Sequence, residues 1–250
     1  YELKIIDFQE FNKRLNLFIN TLSKIKLFNN EMPNKAYNTK TLEKVDYVNN
    51  PAEIGYSAID IARFYVWLYI IKANYPSYAQ RIDEFMLKSD FSNILDEEGN
   101  MYGAFKANDE VKYVQEGRLG YEEYAAKAFG LWGFNTEEPA STEPIDFIDI
   151  YGIEIPYDKR DFRKYNAHNA IVAETFILDG IEFNWDLPRD SISDDKNHTD
   201  TTKMREYADR IYKVQEERFK RTGQLTARTE HHLDKSPYFV YDAIYADGYR

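Results

Sequence analysis

Apolar residues recur along this chain mostly at helical spacing, and long polar or acidic stretches interrupt them. Phe8, Phe11, Leu15, Phe18, Leu22 and Ile25 fall three or four apart, and Asp7 followed by Glu10 reads as a capping box in front of them. That pattern predicts the first helix. A polar loop around 32–38, with room for short strands, comes before Ser57, which caps an almost all-round apolar helix reaching about Lys72. Such a helix should be central. Ser77 after Pro76 opens a third helix with Tyr78, Ile82 and Phe85 inward. The stretch 95–120 holds Gly99, Gly103, Gly117 and Gly120 without sustained period, so it reads as a long loop with a hairpin at Glu98–Gly99. Helix four runs over 121–132 and stops at Gly133; helix five, around 167–178, stops near Gly180. Helix six, over 201–222, lines up Met204, Tyr207, Ile211, Val214 and Phe219 on one stripe and ends at Gly223.

Helix, short turn, helix, long loop, three times over, predicts an all-α fold. The specific expectation is an (α/α) toroid-like array of antiparallel helical hairpins with minor β and the long loops on one rim. Six helices fill only part of such a ring, and an ordinary helical bundle accounts for the same periodicity. No Gly/Ser or Pro-rich linker interrupts the pattern, so 1–250 reads as one domain. The most apolar run, 59–73, contains Asp60 and Arg63 and falls short of the roughly 20 residues a bilayer span needs, which makes it a buried helix. The chain starts at Tyr1 without Met and stops after an aromatic run, so both ends read as cuts in a longer protein from which a leader or anchor is missing.

Composition narrows the partners. A net charge of -11 repels phosphate backbones, so nucleic acid is not expected. With no cysteine, disulfides, zinc–thiolate sites and thiol nucleophiles are excluded, while the compartment stays open. No HExxH, EF-hand or Gly-rich phosphate loop occurs, so neither a catalytic transition metal nor a nucleotide cofactor is expected. Calcium at the acidic loop 186–200, through Asp186, Asp190, Asp194, Asp195 and Asp200, is the one metal reading; a solvated loop is the commoner explanation. The 21 tyrosines pair an apolar face with a polar tip, which suits half-exposed cleft walls.

The loops carry the candidate chemistry. In Gln115-Glu116-Gly117-Arg118-Leu119-Gly120-Tyr121-Glu122-Glu123-Tyr124 a carboxylate sits between glycines just before a helix. Two carboxylates in one cleft divide acid and base work when their environments separate their pKa values. Glu123, four before Lys127, reads first as a surface ion pair, and Glu122 in the first turn suits a base or acceptor. Glu116 is the freer group and the candidate general acid, against a pairing with Arg118 or a capping role. Asp60 offers a second carboxylate, although dipole compensation at the start of its helix is the plainer reading. In Leu178-Asp179-Gly180-Ile181-Glu182-Phe183-Asn184-Trp185-Asp186, Trp185 can stack on a sugar while Glu182 or Asp186 contacts hydroxyls; a helix end with a buried Trp competes evenly. Glu230, followed by Tyr238, Tyr241 and Asp247, lies in an aromatic-acidic stretch that reads as a cleft wall or an edge strand.

The stretches Pro33-Asn34-Lys35-Ala36-Tyr37-Asn38-Thr39, Ser57-Ala58-Ile59-Asp60-Ile61-Ala62-Arg63, 115–133, 178–186 and 237–248 resemble the bacterial family called domain of unknown function 3131. The run Gln-Glu-Gly-Arg-Leu-Gly-Tyr-Glu-Glu-Tyr-Ala-Ala is the most specific of them. The resemblance implies a helical domain similar to glycoside hydrolase toroids. It also implies an envelope setting, periplasmic, cell-surface or secreted, with flanking glycosyltransferase or anchor modules. It brings no catalytic residues. The expectation is therefore a glycoside hydrolase or transglycosidase acting on a bacterial glucan or exopolysaccharide without a cofactor. Glu116 is its acid; Asp60, Glu182 or Glu230 is the partner; Tyr37, Arg118, Tyr121, Glu122, Trp185, Tyr238, Tyr241 and Asp247 bind substrate. A non-catalytic glycan-binding or scaffold domain and a polysaccharide lyase are the alternatives.

Overall fold

The computed structural model describes residues 1–117, 119–141, 145–160, 170–171, 173–186, 203–223, 229–232, 239–242 and 244–245. Contacts divide the chain into two compact units, Tyr1–Asp96 with Tyr102–Tyr113, and Glu97–Met101 with Val114–Arg250.

The first unit holds α1 (Phe8–Leu22), α2 (Ala58–Asn74), a 3-10 turn at Pro76–Tyr78 and α3 (Ala79–Lys88). Both predicted caps form: the Asp7 side chain accepts from Glu10 N and the Ser57 hydroxyl from Asp60 N. Helix α2 buries Ile61, Ala62, Tyr65, Val66 and Leu68 and packs on α3. Between α1 and α2 the chain is pinned by side chains rather than by long strands. The buried Asn34 donates to Ala36 O at 2.8 Å, and its Oδ1 accepts from Ile54 N at 2.9 Å and Gly55 N at 3.2 Å. One amide thus replaces several ladder bonds across this loop.

The hairpin β1 (Tyr102–Ala107) and β2 (Glu110–Gln115) departs from the expected long loop. Its turn is Asn108–Asp109, both with positive φ (51° and 64°), the backbone of a primed two-residue hairpin turn. The turn does not fall at Glu98–Gly99. Tyr56 and Ala104 exchange both backbone bonds at 2.9 Å, which fastens β1 to the start of α2. Gly55 permits that approach, because a Cβ there would lie 1.9 Å from Ala104 O.

The second unit contains α4 (Tyr121–Leu131), the hairpin β3 (Ile145–Ile150) and β4 (Ile153–Asp158), α5 (Ala173–Phe183) and α6 (Met204–Thr222). Short antiparallel pairs join β5 (Ala170–Ile171) to β8 (Ile244–Tyr245) and β6 (Thr229–His232) to β7 (Phe239–Asp242). Leu119, Ile155, Phe176, Met204, Tyr207, Ile211 and Val214 form its core, with α6 packed on α5 and on β4.

The expectation of an all-α fold, and of a toroid of helical hairpins, is therefore overturned: the fold is mixed, with helix the larger share. The physical reason lies in segments such as 145–158, where β-branched and aromatic residues flank Tyr151–Gly152, both with positive φ (60° and 80°). Helical spacing elsewhere in the chain obscured these short period-two runs. Helix α5 is also displaced from the expected 167–178 and runs straight through Gly180.

Candidate functional site

The entrance to α4 is built from two left-handed glycines, Gly117 (φ 105°) and Gly120 (φ 92°). Only glycine adopts such angles without strain. They turn the chain so tightly that a Cβ on Gly117 would lie 2.9 Å from Glu122 Cβ. The loop that carries Glu116 is thus pressed onto the first turn of α4. Glu116 itself is half-buried, and its N–H donates to Met101 O at 2.8 Å. Gln115 Nε2 donates both to Glu116 O at 2.9 Å and to Glu122 Oε1 at 3.0 Å. Backbone bonds on both sides of Glu116 fix where its side chain starts.

Beneath this loop lies a buried ionic group. Arg160 pairs with Glu122 and with Asp158, donating from Nε to the two Asp158 oxygens at 3.0 and 2.9 Å. Burial works against the Arg160 charge, but hydrogen bonds to Asp158 and Glu122 outweigh it and hold the guanidinium above its usual range. Next to Glu122, the buried Glu123 accepts Gly120 N at 2.6 Å, the reciprocal half of a capping box. Burial raises its pKa well above the usual carboxylate range, and the neighbouring Glu122 charge adds to the rise, against the lowering effect of the Gly120 bond. Desolvation is the larger effect, and it disfavours the charged form of Glu123.

One turn further on, α4 and α5 are joined by two rungs. Lys127 Nζ donates to both Asp179 oxygens at 2.8 and 2.7 Å with both side chains fully buried, and the Tyr124 hydroxyl donates to Glu182. Each partner pair is spaced i,i+3 along its helix, so both rungs lie on one face.

The chain matches the family model described as "Protein of unknown function (DUF3131)" over residues 1–250. It belongs to the DUF3131 family. No curated protein and no solved structure matches it.

In this DUF3131 chain the expected site residues are distributed between the units. Within the second, Glu122 joins the ionic group, Tyr121 opens α4, and Glu182 takes the Tyr124 hydroxyl. The half-buried Trp185 donates from Nε1 to Phe176 O at 2.9 Å; one face lies under the Arg205 guanidinium, 4.7 Å from the ring centroid, and the benzo edge abuts Gly180. Glu230 and Tyr241 are backbone register partners of β6 and β7. In the first unit, Asp60 is exposed in the first turn of α2, and the Tyr37 hydroxyl accepts from Asn34 N and donates to Lys26 O, both at 2.8 Å. Burial pushes the Tyr37 phenol up to about 12, so this ring stays neutral and braces the loop. Arg118, Tyr238, Asp247 and the aspartates 190–200 lie outside the described residues, and Asp186 is half-buried. Among the described residues no group of three or more His, Cys, Asp or Glu is placed to hold a metal, and no helix is long and apolar enough to cross a membrane.

Sequence reasoning missed the Lys127–Asp179 rung. The expected Glu123–Lys127 surface pair does not form, because both residues are buried and Lys127 points to α5. The signal was present: a lone lysine in the apolar run Ala125-Ala126-Lys127-Ala128-Phe129 has no polar face to snorkel toward. Arg160 gave no motif, since its partner Glu122 lies 38 residues away in sequence, and Asp158 is read only as the second carboxylate on that guanidinium. In the first unit a second buried carboxylate, Glu31, also escaped notice; it accepts from the Tyr56 hydroxyl at 3.0 Å and the Tyr113 hydroxyl at 2.7 Å.

Proposed function

We propose that this DUF3131 domain is a carbohydrate-active enzyme, a glycoside hydrolase or transglycosidase acting on an oligo- or polysaccharide through carboxylates and without a cofactor. The observation that supports the reading is Glu116: a half-buried carboxylate on a loop clamped through Met101 O and Gln115 Nε2, whose amide also bonds Glu122 of the neighbouring ionic group. Hydrolysis of a glycosidic bond needs such a positioned acid, because the proton must reach the leaving oxygen in the transition state. Glu182 is the partner we favour. It accepts the Tyr124 hydroxyl on the helix next to α4, an interaction that suits a carboxylate acting as base or nucleophile. A separation of roughly 6.5–9.5 Å between the acting carboxyl groups would give inversion, and about 5 Å retention. The reading places the domain in an envelope system, periplasmic, at the cell surface or secreted, which cell fractionation checks.

Digestion of a panel of neutral glucans and bacterial exopolysaccharides, followed by product mass, tests the assignment. Wild type should release shortened products. Glu116→Gln should lose them by about 10²-fold or more while retaining glycan binding, as removal of a general acid predicts. Full activity in Glu116→Gln would end the assignment.

One observation favours a second reading, a glycan-binding or scaffold domain. Glu122, Glu123, Asp158 and Asp179 are all buried and engaged with protein partners, as structural carboxylates are. Binding without cleavage by either protein in the same assay selects it.

A further inference from the structure

In the first unit, the loops after α1 and before α2 line an open cavity of about 580 Å³. Three lysines line it, Lys24, Lys26 and Lys44, in a protein whose net charge is -11. Lys24 and Lys26 are exposed, and neither ammonium has an ion-pair or hydrogen-bond partner among the described residues. Lys44 is fixed instead: its Nζ donates to Leu27 O at 2.9 Å and pairs with Glu53. Two carboxylates also line the cavity. Glu53 is already shared between Lys44 and Lys106, the latter at 3.7 Å, and Glu43 accepts the Thr41 hydroxyl at 3.2 Å.

Part of the lining is held in a costly conformation. Leu42 has φ 61°, a left-handed angle unfavourable for a residue with a branched side chain. The Asn38 side chain enforces it, accepting from Lys40 N at 2.9 Å and Thr41 N at 3.0 Å, while Leu42 N donates to Asn38 O at 2.8 Å. The strained turn brings Leu42 to the cavity with Pro51 and Ala52, an apolar surface beside a cationic rim.

We infer that this cavity is a binding site for an acidic saccharide, with the carboxylate of a uronic acid at Lys24 and Lys26 and the apolar face of its ring against Leu42, Pro51 and Ala52. Lysines act there as mobile point charges on an anion. Glu43 accepts ring hydroxyls, and the volume exceeds what an inorganic oxyanion fills. The site concerns the first unit by itself and stands whether or not Glu116 is catalytic.

Saturation-transfer NMR and calorimetric titration of the full chain with galacturonate and glucuronate oligomers, neutral gluco-oligomers and inorganic phosphate provide the test, at low salt and at 0.5 M NaCl. Uronate oligomers should bind saturably at low salt, at least tenfold tighter than the neutral series, and lose that advantage at high salt. Lys24→Gln combined with Lys26→Gln should weaken uronate binding about tenfold or more. Both positions are exposed, so the variant should keep the wild-type circular dichroism spectrum. Equal binding of neutral and acidic oligomers, or uronate binding that the double variant leaves unchanged, overturns the site. Binding of phosphate with none of uronate overturns the saccharide assignment.

Discussion

Glu123 and the Lys127–Asp179 pair concentrate the residue-scale physics of α4, because each is an ionisable side chain kept from water. Breaking a fully buried pair leaves an uncompensated charge, whereas removing both partners does not. Lys127→Met alone should therefore lower unfolding stability by about 3–5 kcal/mol in urea titrations, and adding Asp179→Leu should recover most of the loss. Additive losses in the double variant would mean that the pair is not coupled. Glu123 makes a separate prediction with a definite sign. Its folded pKa is raised above the ordinary 4.5, so its contribution to stability is fully present below pH 4.5 and is lost as pH rises through the folded value. Glu123→Gln removes that proton. The variant should gain on wild type by at most about 1.4 kcal/mol per pH unit above this point, measured as urea stabilities at pH 5, 6.5 and 8. Parallel profiles would place the Glu123 proton in solvent in both states.

Elements here end and turn through left-handed residues more often than periodicity implied. Helix α5 passes through Gly180 and stops at Asn184 and Trp185, both with φ near 55–58°, closed by Asn184 N to Gly180 O and Trp185 N to Asp179 O. Glycine is needed at position 180 for space: a Cβ there would lie 2.3 Å from the Trp185 ring. Helix propensity alone favours alanine by about 1 kcal/mol. Overpacking against the indole should outweigh it, so Gly180→Ala is expected to destabilise by about 1–2 kcal/mol net. Thermal unfolding checks the direction and tryptophan fluorescence the displacement of Trp185; a stabilised variant with unchanged emission would refute the packing argument. The same logic explains why α1, α2 and α6 were legible beforehand while α5 was not. Asp7, Ser57 and Gly223 are end signals that act locally, whereas Gly180 resembles a stop and serves as a packing gap.

Across the whole molecule, the chain does not give its units contiguous halves. Tyr102–Tyr113 belongs with Tyr1–Asp96, and Glu97–Met101 with the rest. A fragment ending at Asp96 lacks Ala104, which pairs with Tyr56, and Tyr113, whose hydroxyl bonds Glu31 and whose pKa burial and that carboxylate raise to about 12. Such a fragment should give collapsed amide dispersion in ¹H–¹⁵N NMR spectra, while one extended to Tyr113 should recover dispersed peaks. Equal dispersion in both would show that the hairpin is dispensable. The sequence by itself determined the helices with strong local signals, the exclusion of thiol chemistry, and the family, because period, caps, composition and motif are properties of neighbouring residues. It also placed Glu116 on a glycine-flanked loop before a helix. Tertiary structure alone decided that the fold is mixed, that Lys127 meets Asp179, that one arginine serves Glu122 and Asp158, and that three lysines line one cavity. These arrangements depend on residues far apart in the chain, and on the desolvation that follows when they meet, which no local pattern encodes.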